Sequence, residues 1–383
     1  MKKIISAVLA FLCLIPLLRT VPIKAEGLSV SAKSAILIEA ESKTVLYQKD
    51  AFVKRPMAST TKIMTALIAI ESGNIDRLVK IDERARGVEG SSIYLAEGEA
   101  LSMRNLLYAL LLASANDAAA AIAYEVAGSI EKFAELMNKK AAKLGLSSTH
   151  FKNPHGLHDD EHYTTAYDLA MITAEALKNE IFLEICSTKT KTIPLNIDEG
   201  TRYLTNHNKL LRSYNGCIGV KTGFTKASGR CLVSAAERNG LRLIAVTLGA
   251  PDDWRDHTAM LNFGFERYTR LTLAEKGNFT VTLDVAGGTV NEAVVANSKE
   301  ISVFLKKEHG TIDYKIECVR PLFAPIERGE EVGSIICYHN GKEIASSPLV
   351  AVTKVEKAQI KRGFFEWFKN LFAHSPRRDI WKK

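Results

Sequence analysis

Three short polar segments constrain this chain more than anything else in it: Ser59-Thr60-Thr61-Lys62, Ser114-Ala115-Asn116 and Lys221-Thr222-Gly223. They stand in that order, at gaps of roughly fifty and a hundred residues. Each falls in a different local setting. Ser59 opens a run of good helix formers that continues to Ile70. Ser114 to Asp117 lies between two helical runs, Arg104–Ala113 and Ala118–Ala127, and its residue types favour caps and turns. Cys217 to Thr222 reads as a strand entering a glycine-rich turn. Singly, each has an ordinary explanation as a cap, a turn or a strand end. Together they require a fold that brings a helix start, an inter-helix turn and a strand edge to one place.

The residue types say what such a place can do. Serine is a weak nucleophile at its own pKa and needs a base beside it. On a helix, positions i and i+3 share a face, so Ser59 and Lys62 project together. Lysine acts as a base only if burial or a second cation lowers its pKa, and Lys221 is that second cation. Ser114 and Asn116 offer a hydroxyl to pass a proton and an amide to hold one. Thr222 offers a hydroxyl to a carboxylate, and Gly223 lets a substrate backbone approach closely. This set describes acyl transfer.

The rest of the chain organises around those segments. Ser34–Ile38 and Thr44–Tyr47 read as a hairpin. Ile130–Leu144 and Thr165–Lys178 read as helices, and strands begin from Thr192. Arg230–Glu237 and Arg242–Leu248 flank Asn239-Gly240, a strong hairpin signal, and His257–Thr269 reads as a closing helix. The order predicts an α+β domain: an antiparallel sheet with helices and a helical lobe. Near Glu275 the pattern shifts to short β segments, which predicts a small β-sandwich over 275–357.

The two ends read differently from the middle. Lys2 and Lys3, the apolar run Ile4–Leu18 and the small residue Ala25 predict a signal peptide over 1–25. The exported chain keeps Cys186, Cys217, Cys231, Cys318 and Cys337, an odd set with no metal-type spacing. Most read as buried free thiols; Cys217 and Cys231 flank the third segment, and whether they pair is left open by the sequence. Net charge is +8, scattered along the chain. Export argues against nucleic acid and for an anionic membrane or wall surface. Residues 358–383 place Phe364, Phe365, Phe368, Leu371 and Phe372 on one helical face among lysines and arginines. That tail suits a membrane interface and is too short and charged to span one.

With these residues in view, the chain resembles the serine-type D-alanyl-D-alanine carboxypeptidases of peptidase family S11, the low-molecular-mass penicillin-binding proteins. The likeness runs from Ser34 to Val355 plus the tail. It includes Asn153-Pro154-His155-Gly156-Leu157 and Pro348-Leu349-Val350-Ala351. It implies a penicillin-binding-protein/β-lactamase-like catalytic domain over 26–272. It implies that Ser59 attacks the bond between two terminal D-alanines of a peptidoglycan stem peptide, that Lys62 takes its proton, and that β-lactams acylate the same serine. Ser114, Asn116 and Lys221 then shape the proton network. Thr222, Gly223 and an arginine hold the terminal carboxylate; Arg255 is the candidate and Arg230 the alternative. No cofactor or metal is implied. Phe224 departs from members that carry histidine after Lys-Thr-Gly.

Three rival readings remain at this level. A β-lactamase shares the segments, and Glu135-Leu136-Met137-Asn138 is an imperfect echo of its water-activating glutamate motif. A non-catalytic β-lactam-sensing or wall-binding protein is the second. A metal enzyme using the cluster His155, His158, Asp159, Asp160, Glu161 and His162 is the third.

Overall fold

The computed structural model describes residues 28–196 and 200–359, in two compact units that divide between Glu266 and Arg267. The leader and all but the first two residues of the tail lie outside the described residues.

The first unit is built on a five-stranded antiparallel sheet. In chain order its elements are β1 (Ser34–Glu39), β2 (Val45–Lys49), α1 (Lys62–Glu71), β3 (Leu78–Lys80), β4 (Ala100–Ser102), α2 (Met103–Leu112), α3 (Asn116–Ala127), α4 (Ile130–Lys143), α5 (Ala166–Ala176), α6 (Glu180–Ser187), β5 (Thr190–Pro194), β6 (Thr201–Thr205), α7 (Leu210–Ser213), β7 (Cys217–Thr225), β8 (Gly229–Arg238), β9 (Leu241–Leu248) and α8 (Asp253–Arg267). The sheet order is β2-β1-β9-β8-β7, so β7 is an edge strand. Asn239 and Gly240 both take positive φ, 50° and 74°, as a two-residue hairpin between β8 and β9 requires.

Helix α1 decides where the site sits. Every residue from Lys62 to Ile70 is buried. A helix apolar on all sides belongs inside a core, and α1 is surrounded by α2, α3, α4, α5 and α6. Its first residue is a lysine, which the fold therefore takes out of water. At the other end of the unit, the Asp256 carboxylate accepts from Ser31 N (2.8 Å), Ser31 Oγ (2.8 Å) and Ala32 N (3.0 Å), tying the entering chain to α8.

Several boundaries differ from the sequence reading. Helix α6 falls where the hydrophobic pattern gives no clear period. Asn179 caps it by accepting from Ile181 N and Phe182 N, and Phe182, Ile185 and Cys186 are buried. Strand β7 continues through Lys221-Thr222-Gly223 to Thr225 instead of turning after Thr222, because each of these residues is paired with β8. Helix α8 starts at Asp253, four residues before His257, and ends at Arg267. The pairing of Cys217 with Cys231 that the sequence left open is not formed: both are free thiols. Cys217 lies opposite Ala236 and Cys231 opposite Gly223. That is about 20 Å along the ladder, far beyond disulfide reach.

The second unit is β-rich, as expected. It comprises β10 (Tyr268–Ala274), β11 (Thr280–Ala286), β12 (Glu292–Asn297), β13 (Ile301–Lys306), β14 (Ile312–Cys318), β15 (Leu322–Phe323), β16 (Glu331–His339) and β17 (Lys342–Ala351). One sheet runs β14-β16-β17-β12-β11-β15, and β10 pairs with β13. Leu283, Val295, Ile301, Ile335, Leu349 and Val355 are buried in its core. Residues 268–269, read from sequence as the end of a helix, extend as β10 because Tyr268 pairs with Lys306. No helix among the described residues is long and apolar enough to cross a membrane.

Candidate active site

The turn before α1 is a short 3-10 helix over Ala58–Thr61. Ala58 takes φ 48°, a left-handed conformation that strains a residue with a side chain. The strain is held from two sides. Gly156, itself at φ 88°, packs so closely that a Cβ there would lie 1.9 Å from the Ala58 carbonyl oxygen. Gly223 of β7 is close on the other side, though less tightly: a Cβ there would lie 3.0 Å from Ser59 N and 3.1 Å from Thr60 N. Glycine lets the strand edge come this close to those amides without displacing them. Ser59 stays partly exposed while its neighbours are buried.

Lys62 is fully buried, and its Nζ donates to Ser59 Oγ (2.9 Å), Asn116 Oδ1 (2.7 Å) and the His155 carbonyl (2.8 Å). Burial holds its pKa well below the ordinary lysine range, the charge of Lys221 pushes the same way, and Asp117 opposes both. Lys221 is itself pushed down to about 7 by burial, and its Nζ donates to the Thr222 carbonyl (2.8 Å). Two buried ammonium groups cannot both stay charged at low cost. Lys62, the amine within hydrogen-bond reach of Ser59 Oγ, is the one placed to act as a base when neutral.

Asn116 is the first residue of α3, so its side chain leaves the helix end toward Lys62. Its Nδ2 donates to the Glu89 carbonyl and its backbone N to that of Ser91 (2.7 Å). Ser114, two residues earlier, sits at φ 59° and is buried. Its hydroxyl has no protein partner among the described residues, which leaves it available to a bound group.

The sequence reading assigned no role to several residues that build this site. The Asp117 carboxylate gathers Ser92 Oγ (2.6 Å), Leu95 N (3.1 Å) and Ile93 N (3.3 Å) and so fixes the segment that covers Asn116. Arg202 of β6 pairs with the buried Glu99 and donates to the carbonyls of Ile93 (2.7 Å) and Tyr94 (3.0 Å), bracing the same segment. His155, a candidate metal ligand from sequence, contributes a carbonyl to Lys62. No local pattern marks such contacts; they join residues up to about a hundred positions apart.

Of the two arginines, Arg230 is engaged: it pairs with Asp253 (2.9 Å) and lies over the Trp254 ring. Arg255 is exposed in the first turn of α8 and has no ion pair among the described residues. Across the sheet, Gly223, Cys231, Leu248 and Ser34 lie in one row, and α8 follows Leu248 by a short loop. The α8 N-terminus therefore rises at the Gly223 end of the sheet.

The rival features resolve differently. Glu135 is exposed on α4, and Asn138 is occupied with both backbone groups of Phe151 (2.8 and 2.9 Å). In the proposed metal cluster, both nitrogens of His162 are already engaged by Thr61 and Lys152. No group of three or more possible ligands gathers among the described residues.

Residues 21–252 match the family model for D-alanyl-D-alanine carboxypeptidase, peptidase S11. The chain belongs to that family.

Residues 268–357 match the C-terminal domain of penicillin-binding protein 5. D-alanyl-D-alanine carboxypeptidase DacF of Bacillus subtilis is 34% identical over 96% of this chain and 100% of its own length. DacC of Escherichia coli is 32% identical over 91% and 92%. The crystal structure of penicillin-binding protein 5 from Haemophilus influenzae superposes with TM-score 0.68 at 27% identity, covering 86% of this chain and 98% of that one. As an S11 member the protein pairs the family's catalytic domain with a β-rich second domain.

Proposed function

We propose that this protein is a serine-type D-alanyl-D-alanine carboxypeptidase that removes the terminal D-alanine from peptidoglycan stem peptides through an ester on Ser59. One observation carries the serine assignment. A buried, pKa-depressed lysine amine stands 2.9 Å from a partly exposed serine hydroxyl. That is the geometry of a base poised on its nucleophile.

The stem peptide lies extended along the free edge of β7. Thr222 and Arg255 hold its terminal carboxylate; the engagement of Arg230 with Asp253 favours Arg255 for this role. Neutral Lys62 takes the proton from Ser59 Oγ as the oxygen bonds to the carbonyl carbon. The developing oxyanion is met by backbone N–H groups, that of Ser59 among them. Asn116 keeps Lys62 in place. Ser114 passes a proton to the departing amine, and the C–N bond breaks to release D-alanine. Water then cleaves the ester. β-Lactams acylate Ser59 by the same route. The family relationship and second domain favour this reading over a β-lactamase, and the complete set of polar groups favours it over a sensor.

The family's substrate is extracytoplasmic. The leader over 1–25 exports the chain, and residues 358–383 attach it to the outer face of the membrane. The bounds 26–272 and 275–357 for the catalytic and β-sandwich domains belong to this same reading. A chain ending after Gln359 or Ile360 is expected to leave the membrane fraction with unchanged hydrolysis; membrane retention of the shortened chain defeats the anchoring role.

The deciding test compares wild type with Ser59→Ala. Wild type takes up fluorescent penicillin on Ser59 by mass spectrometry and releases D-alanine from diacetyl-Lys-D-Ala-D-Ala. Ser59→Ala does neither. Rapid turnover of nitrocefin would point to a β-lactamase instead, and labelling without D-alanine release to a sensor.

A further inference from the structure

A chain of hydrogen bonds that the mechanism above does not use ends at the residue before the nucleophile. It starts at His162, on the loop between α4 and α5, whose ring is buried edge-on against Phe151 (5.8 Å). The backbone N–H of Lys152 donates to His162 Nδ1 (3.0 Å). That nitrogen must therefore carry a lone pair, which puts the proton of the neutral ring on Nε2. Burial lowers the pKa of this ring to about 4, so the neutral form prevails near pH 7. Nε2 then donates to Thr61 Oγ1 (2.8 Å), and Thr61 Oγ1 donates to the Ala58 carbonyl (2.8 Å). Every link has one possible direction once the Lys152 N–H is in place.

We infer that His162 is a positioning residue for acylation: through Thr61 it fixes the Ala58 carbonyl, and with it the plane of the peptide whose N–H belongs to Ser59. This rests on the reading of Ser59 as nucleophile and adds to it. A buried, satisfied histidine is ordinarily only a piece of core. What sets this one apart is its endpoint. Ala58 holds φ 48° against its intrinsic preference, and a peptide plane in that state turns if its carbonyl is released. Ser59 N lies against the Gly223 edge of β7, where a Cβ would stand 3.0 Å from it. A turn of the plane therefore swings that N–H away from the place where the oxyanion forms. The hydroxyl of Thr61 is fully buried and serves as the coupling between ring and carbonyl.

The test measures acylation by a fluorescent penicillin and kcat and KM for D-alanine release, with circular-dichroism melts to set the folded fraction. Complete loss of one oxyanion donor costs about 10²–10³-fold in kcat, so a misaligned one is expected to cost about 10–50-fold. His162→Phe and Thr61→Val should each show that loss in kcat and in acylation rate, with KM little changed. The double variant should be no slower than the slower single, because both substitutions cut one chain. His162→Gln keeps a side-chain N–H donor and should recover most of the rate. Thr61→Val acylating at the wild-type rate, or losses that multiply in the double variant, would overturn the inference. If His162→Phe does not fold, Thr61→Val and His162→Gln decide alone. A wild type that forms no Ser59 ester would instead bring down the reading of the site itself.

Discussion

Replacing Lys62 by methionine is expected to cut acylation of Ser59 by about 10²–10⁴-fold, the usual contribution of a positioned base. Methionine keeps the length of the buried stem and removes the amine, so the core around α1 stays filled. The pH profile makes this sharper than a simple loss. In the proposed mechanism the reaction needs Lys62 neutral, and burial together with Lys221 holds its pKa well below the ordinary lysine value. Acylation therefore falls as pH is lowered and Lys62 captures a proton. It rises as pH increases and the amine is freed. In Lys62→Met the acid limb due to this group must disappear. Stopped-flow acylation across pH measures both. A variant that keeps the wild-type acid limb would show that another group is the base.

Gly156→Ala is expected to lower the stability of the catalytic unit by about 2–5 kcal/mol and to suppress penicillin labelling. Two terms combine. Alanine at φ 88° meets the left-handed strain of about 1–2 kcal/mol. Its Cβ would also stand 1.9 Å from the Ala58 carbonyl oxygen, and relieving such overpacking costs about 1–3 kcal/mol. The clash falls on backbone, so no side chain can rotate out of the way. Relief must come from moving the Ala58–Ser59 peptide or the 153–157 segment. The latter also carries the His155 carbonyl that Lys62 binds. A loss of about 4–20 °C in the melting transition is expected from the size of the unit. A variant that melts with wild type and labels at full rate would mean that this packing is slack.

Lys62, Ser59 and Asn116 were legible in the sequence because their spacing carries their chemistry. A serine and lysine three apart at a helix start share a face whatever surrounds them. Lys221 was legible as a second cation. What was not legible is that burial outweighs that cation in depressing Lys62. The helix α1 has no exposed face, and only the packing of five other helices and β7 around it makes that so.

Other features had a local signal and needed no tertiary argument. Asn239-Gly240 and Asn340-Gly341 turn chains because both positions reach positive φ cheaply. Helix α6 had such a signal in Asn179 and was still missed, since its apolar spacing is short and irregular. Residues 268–269 continued a helical pattern; their pairing with Leu305 and Lys306 overrode it.

The amino-acid order by itself therefore determined the kind of chemistry and the antiparallel and helical elements that carry it. These follow from steric preference and from side chains a few positions apart. Tertiary structure decided which amines are taken out of water, which arginine is already engaged and which carbonyl a buried histidine reaches. Each of those depends on desolvation and on contacts between residues tens of positions apart, and such contacts exist only once the chain has closed on itself.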